Sequence, residues 1–367
     1  MLRKGTIWLN MAIVAVCFII VGVKPASANG IAPLLEQQLG RLLYFDKSLS
    51  NPVGQACASC HLPTTGFADP DQDLPVSEGV IPGRFGTRNA PSVTYAAYSP
   101  TFYLDKDSGN YTGGQFWDGR AATLEDQAKA PFLNPVEMNN TKEGVVKAVR
   151  NGPYAALFKL VYGFNSLKDV ESAYNLVAKA IAAFESIRLV SPFTSKYDYY
   201  LKGMAKLTPS EKRGLALFNG KGNCFACHPS TSADKKTPPL FTDFTYDNLG
   251  VPPNPDYPYY SMKPSPYPDL GLGKIVNDPE QNGKFKVMTL RNIAKTAPYS
   301  HNGYFKTLKE IVHFYNTRDT EVWPAPDVPE TVNRTELGHL GLTDREEDDI
   351  VAFLETLTDG YLIKKLR

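Results

Sequence analysis

Apolar residues recur at helical spacing in several stretches of the chain, and long irregular segments separate them. LKDVESAYNLVAKAIAAFESI (167–187) reads as a long amphipathic helix. Three further runs, PSEKRGLALFNG (209–220), TLKEIVHFYNTR (307–318) and REEDDIVAFLETLT (345–358), predict helices as well. Thr-x-x-Glu at 208–211, 307–310 and 343–346 marks their starts. In such a capping box the threonine and glutamate side chains satisfy N–H groups that the first turn leaves unpaired. The strict alternation of a half-buried strand is scarce. Two stretches, 62–119 and 229–290, carry no period, and the second holds nine prolines between Pro238 and Pro268. Loops of that length are functional or disordered more often than idle. The expected fold is therefore mainly α, with long loops and little β structure.

The first residues belong to a different class. Arg3 and Lys4 precede an apolar run from Met11 to Val23, and small residues follow at Ala26 and Ala28. That order predicts a secretory signal over 1–28, cleaved after Ala28. The run is short for a membrane span, which needs roughly 20 apolar residues, and no other stretch is long and apolar enough. Cleavage removes Arg3, Lys4 and Lys24 and no acidic residue, so 39 basic residues become 36 against 38 acidic ones, a formal −2. A nearly neutral chain offers no electrostatic footprint for nucleic acid. The expectation is an exported, periplasmic protein with no stable span. Its mature length suggests two domains, 29–200 and 201–367, meeting near SPFTSKYDYYLKG (191–203).

Cysteine usage then decides the chemistry. Cys17 lies in the leader, and the remaining four are Cys57, Cys60, Cys224 and Cys227. Each pair sits in a Cys-x-x-Cys-His unit, CASCH ending at His61 and CFACH ending at His228. A disulfide framework needs no histidine, and a zinc ribbon joins its pairs by roughly 15–20 residues. A thioredoxin-like pair would need a βαβ context, and none is visible. Covalent c-type haem accounts for all six residues: two thioethers per haem and an adjacent imidazole for the iron. Two such units predict two haems, and no other repeat is visible.

Only five histidines exist, and none lies between His61 and His228. Unless the domains interleave, the first iron has no second histidine within its own domain. The only methionine there, Met138, follows Glu137. An iron with an open position binds small molecules; with both irons closed the protein would be an electron-transfer cytochrome. GGQFWDGRAATLEDQAKAPFLNPVEMNN (113–140) supplies Gln127 and Glu137, with Pro131 expected to turn the chain between them. A carboxylate on the open face can carry a proton from one peroxide oxygen to the other, although a Gln and a Glu beside a turn are also ordinary polar surface.

These segments carry a resemblance. QFWDGRA, LEDQA and NPVEM, together with RNAPSV (88–93), GKFKVMTLRNIAKTAPYSHNG (283–303) and IVAFLETLTDG (350–360), resemble the bacterial di-haem cytochrome c peroxidase and MauG superfamily. The match runs in order from about residue 35 to 360 and is nearest to the MauG-like, methylamine-utilisation members. The resemblance implies two cytochrome c-like helical domains, with Glu137 and Gln127 as peroxide-pocket residues of the first haem and Pro131 packed beside them. It implies Trp117 as a tryptophan between the haems, and Asn89 with the backbone of Thr296 and Pro298 as a calcium site. Oxygen donors of that kind suit a hard cation.

The distal ligand of the second iron is expected from TLKEIVHFYNTR. His313 and Tyr315, two apart on a helix, point to different faces, so one of them faces the iron. The peroxidases carry methionine at the matching place and the MauG-like members carry tyrosine in the same FYN setting, which points to Tyr315. Two departures are visible. Gly222 stands where the methylamine-utilisation enzymes have a surface tryptophan used on methylamine dehydrogenase, which puts that substrate in doubt. Met288 stands where relatives usually have proline. Three functions follow as expectations. The first uses hydrogen peroxide to oxidise a periplasmic partner protein. The second reduces peroxide with electrons from a small redox protein, a cytochrome c or a cupredoxin. The third is electron transfer alone.

Overall fold

The computed structural model describes residues 28–232, 236–258 and 268–363. Apart from Ala28, the expected leader lies outside them. The described α-helices are α1 Ala28–Tyr44, α2 Cys57–Cys60, α3 Leu124–Leu133, α4 Lys142–Asn151, α5 Ala155–Tyr162, α6 Val170–Glu185, α7 Lys196–Leu201, α8 Pro209–Asn219, α9 Leu272–Val276, α10 Leu308–Thr317 and α11 Asp344–Glu355. Strand structure among the described residues amounts to two antiparallel pairs of two residues each. β1 (Tyr103–Leu104) pairs with β2 (Tyr111–Thr112), and β3 (Tyr246–Asp247) pairs with β4 (Phe285–Lys286). The chain is mainly α, as its periodicity predicts. No described helix is long and apolar enough to cross a membrane.

The three capping boxes form at Thr208, Thr307 and Thr343, each threonine accepting the N–H of the glutamate three residues on. The long helix begins at Val170 and not at Leu167, because the Asp169 carboxylate caps it by accepting Ser172 N–H at 2.8 Å. Pro131 does not turn the chain; it lies inside α3, and the reversal comes after Leu133. Proline removes only one helical hydrogen bond there, and the turn is made by Glu137 N–H and Asn139 N–H donating to the Asn134 carbonyl.

Two hydrophobic cores result. One is built from buried residues between Leu39 and Val190, the other from residues between Tyr197 and Leu357. Each is organised by one close helix crossing, α1 on α6 and α8 on α11. The two crossings share a pattern that the sequence did not reveal. A Cβ on Gly40 would overlap the Ala180 carbonyl, and a Cβ on Gly214 would overlap the Asp349 carbonyl. One turn after each glycine an aromatic ring meets a phenylalanine of the partner helix: Tyr44 on Phe184 at 5.1 Å and Phe218 on Phe353 at 5.2 Å. Glycine lets the backbones touch, and the rings then seal the crossing beside each haem motif.

The cores are not independent bodies, because segments of the first half wall the second. Arg88 pairs with Asp269 at 2.7 Å, Asn89 N–H donates to the His301 carbonyl at 2.8 Å, and Lys286 N–H donates to the Trp117 carbonyl at 2.8 Å. Replacing Gly40 with alanine should cost about 1–3 kcal/mol, since neither backbone can retreat without opening the core. Chemical unfolding of the holoprotein checks this, and a midpoint equal to wild type would contradict the crossing.

Candidate active site

Both Cys-x-x-Cys-His units are tight helical turns that aim the histidine in the same way. His61 N–H donates to the Cys57 carbonyl at 3.0 Å and His228 N–H to the Cys224 carbonyl at 2.9 Å. On each ring Nδ1 meets a backbone carbonyl, that of Phe67 at 3.3 Å for His61 and that of Phe241 at 2.7 Å for His228. A carbonyl can only accept, so Nδ1 carries the proton and Nε2 keeps its lone pair, the arrangement a metal-ligating imidazole needs. Burial pushes His61 down to about 4 and His228 below its usual value, which keeps both rings neutral. The two carbonyls come from phenylalanines at φ 56 and φ 53, in the left-handed region where bulky side chains are rare. Sequence reasoning had no signal for Phe67 or Phe241, because the strain is set by what surrounds them.

The four thiols are free, and burial raises all of them, Cys60, Cys224 and Cys227 to about 12 and Cys57 further. They fit covalent attachment of a haem beside an Nε2 lone pair. Around the second unit a cavity of about 240 Å³ opens, lined by Cys224, Cys227, His228, Met288 and Tyr315. The residues present therefore fit the group that the motifs imply.

His313 and Tyr315 separate as the helix geometry requires. His313 turns outward, with Nδ1 2.9 Å from Glu347 Oε1 and Nε2 3.3 Å from Glu321 Oε2. Tyr315 lines the cavity, where burial and then the nearby Cys224 and Cys227 raise its hydroxyl well above the ordinary phenol value. Gly222 also lines this cavity, and a side chain there would crowd the Leu217 carbonyl and Ile350. Met288 is another wall residue of this cavity.

At the first unit, Gln127 and Pro131 lie four apart on α3 and so share a face. Met138 N–H donates to the Pro131 carbonyl at 3.2 Å, which brings Glu137 to the same end of the helix. Asn134 Nδ2 donates to Glu137 Oε1 at 2.7 Å. Burial raises the Glu137 carboxyl, opposed by that hydrogen bond and by the charge of Arg120. The Glu137 charge is in turn felt at Cys57 and Cys60, which puts the carboxyl near the attachment point. Met138 itself is buried in the apolar core.

The segment between the two units is built from RNAPSV and FWDGR. Trp117 Nε1–H donates to the Asn89 carbonyl at 2.8 Å, and both residues line the second cavity. The Pro91 carbonyl reaches His61 while Pro91 also walls that cavity, so this segment lies between the two attachment points. Asn89 Nδ2 donates to the Pro75 carbonyl at 3.2 Å, which leaves Oδ1 free for another partner. Thr296 and Pro298 line the same cavity, and among the described residues nothing donates to either carbonyl.

Three features of this wall escaped the sequence. Arg88 bridges Asp118 and Asp269 at 2.7 Å each. His301 is buried and stacked on Phe285 at 3.6 Å. Lys286 is buried with no carboxylate partner, its ammonium donating to Ser99 Oγ and the Gly114 carbonyl, and burial lowers it to about 7. Arg88, Asp118, Lys286 and His301 all sit inside the quoted motifs, which was a usable signal; that Lys286 is buried was not legible, since its surroundings come from residues far apart in the chain.

Comparison with known proteins agrees with this geometry. Residues 35–206 match the family model described as di-haem cytochrome c peroxidase. The methylamine utilization protein MauG of Paracoccus denitrificans is 40% identical over 341 residues, covering 88% of each chain. The cytochrome c551 peroxidase of Nitrosomonas europaea is 33% identical, over 88% of this chain and 79% of that protein. Among solved structures, the diheme peroxidase BthA of Burkholderia thailandensis superposes with a TM-score of 0.81 at 35% identity, over 88% of this chain and 86% of that one. Two haems should accordingly be found by mass spectrometry on the exported chain, and Cys57→Ala with Cys60→Ala should leave only the haem of the second unit. One haem on the properly exported wild type would contradict the site. On these grounds the chain belongs to the di-haem cytochrome c peroxidase and MauG family of oxidoreductases.

Proposed function

We propose that this is a MauG-like enzyme that reacts with hydrogen peroxide at an open first haem and passes the oxidising equivalents, through a tyrosine-ligated second haem, to a periplasmic partner protein. The observation that carries the reading is Tyr315, which lines the second cavity beside Cys224 and His228 while His313 is engaged by Glu321 and the buried Glu347. When bound, the haems supply the iron chemistry that cleaves peroxide and stores what it yields. In this reading residues 29–200 form the peroxide-reactive domain and 201–367 the storage domain.

Within that scheme Glu137 is the acid–base group. A carboxyl raised by burial is half-way between carboxylate and acid nearer to neutral pH, so it can take a proton from one peroxide oxygen and return it to the other. Asn134 holds one of its oxygens, leaving the second for substrate. Gln127, on the same helix face as Pro131, orients the peroxide, and Pro131 closes the wall. Trp117 lies on the segment between the two units and serves as the bridge for charge. Asn89 with the Thr296 and Pro298 carbonyls holds calcium, which braces that segment. Tyr315 would supply a phenolate, a hard anionic ligand that favours higher oxidation states.

The second reading is a cytochrome c peroxidase drawing electrons from a small redox protein. Gly222 favours it over action on methylamine dehydrogenase, since no side chain stands there to meet such a partner. A peroxide titration separates the two: a long-lived oxidised protein in the first case, rapid turnover with reduced cytochrome c in the second.

Glu137→Gln preserves shape and removes the proton shuttle, so stopped-flow mixing with peroxide should show a loss on the order of 10²-fold or more; a wild-type rate would exclude Glu137 from the role. For the second haem, Tyr315→Phe should change its absorption and electron paramagnetic resonance spectra. If the spectra do not move, the ligand is another group and the preference for partner oxidation falls with it.

A further inference from the structure

The oxidising equivalents need a way out, and among the described residues the Trp323 indole connects Tyr315 with the surface through one intervening ring. Beyond the leader the chain has two tryptophans, Trp117 between the haem units and Trp323. Trp323 is half-buried in a surface loop, next to the fully exposed Val322. Three residues on, the same loop turns inward and Pro326, Asp327 and Val328 wall the cavity that holds Tyr315. The aromatic rings are continuous between these points. Tyr315 lies 5.9 Å from Phe314, and the Trp323 ring stands edge-on to Phe314 at 5.1 Å.

The surroundings of the indole suit loss of an electron without loss of a proton. Its Nε1–H donates to Thr317 Oγ1 at 3.1 Å, and that hydroxyl spends its own proton on the His313 carbonyl at 2.9 Å, so no base is in contact with the indole. Beside the ring, the His313 imidazole lies 6.2 Å away and heads a chain of side chains. His313 meets Glu321 and Glu347, and Glu347 meets Lys309, which meets Asp344 and Asp348. Four carboxylates against two cations leave a net negative field, which stabilises a positive charge on the ring. The glycine at 222, by contrast, offers no ring at all at the haem motif itself.

We propose that Trp323 is the port of the second haem, the residue through which electrons enter from a partner protein and oxidising equivalents leave. The indole gives one electron inward to the second haem, becoming a radical cation, and takes one electron from the partner. Two such transfers and two protons complete the reduction of one hydrogen peroxide to two waters. With no partner present the indole is itself consumed: one oxygen of a peroxide replaces a ring C–H with C–OH, and the other leaves as water. This rests on the reading that the second haem holds an oxidising equivalent.

The test uses the full-length holoprotein and hydrogen peroxide, with no electron donor. Peptide mass mapping should find oxygen added at Trp323 in the wild type and none there in Glu137→Gln, where peroxide is not activated. The peroxide-oxidised absorption spectrum should persist several-fold longer in Trp323→Phe and return toward the wild-type lifetime in Trp323→Tyr, because tyrosine is oxidisable and phenylalanine is not. A merely structural role would not distinguish those two variants. Trp323 oxidised equally in Glu137→Gln means direct attack by free peroxide and overturns the proposal. An unchanged lifetime in Trp323→Phe also overturns it, and does so alone, whereas a wild type that never holds the oxidised spectrum removes the proposed function first. The mass mapping on the wild type needs no variant, so the proposal stays falsifiable even if Trp323→Phe fails to assemble.

Discussion

Each haem motif depends on one hydrogen bond, from an imidazole Nδ1–H to the carbonyl of a phenylalanine held in the left-handed region. That bond fixes the tautomer, points Nε2 at the metal position and sets the direction of the ring. A phenylalanine does not adopt positive φ unless its surroundings force it. At Phe241 the force is visible: the ring is fully buried and packed between Tyr197, Phe218 and Phe353. The helix crossing of α8 on α11, made possible by Gly214, supplies two of those three rings. The first unit repeats the device with Gly40, Tyr44 and Phe67, and Tyr44 also donates to the His61 carbonyl at 2.8 Å. Packing energy in the cores is thereby converted into the aim of two side chains.

Between the units the same logic acts on charge. The wall made by Asn89, Trp117 and Lys286 is drawn from both halves of the chain and stitched by backbone bonds. Arg88 is held by two carboxylates and has no freedom to reach elsewhere. Lys286, buried among a hydroxyl, a carbonyl and the Phe244 face, has a depressed affinity for its proton. A wall of this kind keeps water out and dielectric low, conditions in which a single charge on Trp117 or beside it matters more than it would in solvent.

The two haem environments differ in what they offer a ligand. Near the first unit lies a carboxyl that burial raises above its ordinary value. The second is faced by a phenol with no carboxylate or amide in hydrogen-bond contact among the described residues. In the proposed scheme one environment handles protons and the other oxidation state. That asymmetry within a repeated architecture is what a reaction needs if peroxide is to be cleaved in one place and its oxidising power used in another.

The sequence by itself determined whatever is local. Two Cys-x-x-Cys-His units state the cofactor and its number, because attachment and ligation use residues within one turn. Capping boxes at Thr208, Thr307 and Thr343 marked helix starts to the residue, since cap and partner lie three apart. The spacing of His313 and Tyr315 said that only one could face the iron. Which of them lines the second cavity was a matter of tertiary structure: Tyr315 does, while Glu321 and Glu347 hold His313. Tertiary structure also decided that Pro131 sits within a helix, that Gly40 and Gly214 are crossing points, and that Lys286 is buried. The two crossings and the burial of Lys286 depend on neighbours more than a hundred residues away, and no pattern along the chain encodes a contact of that range.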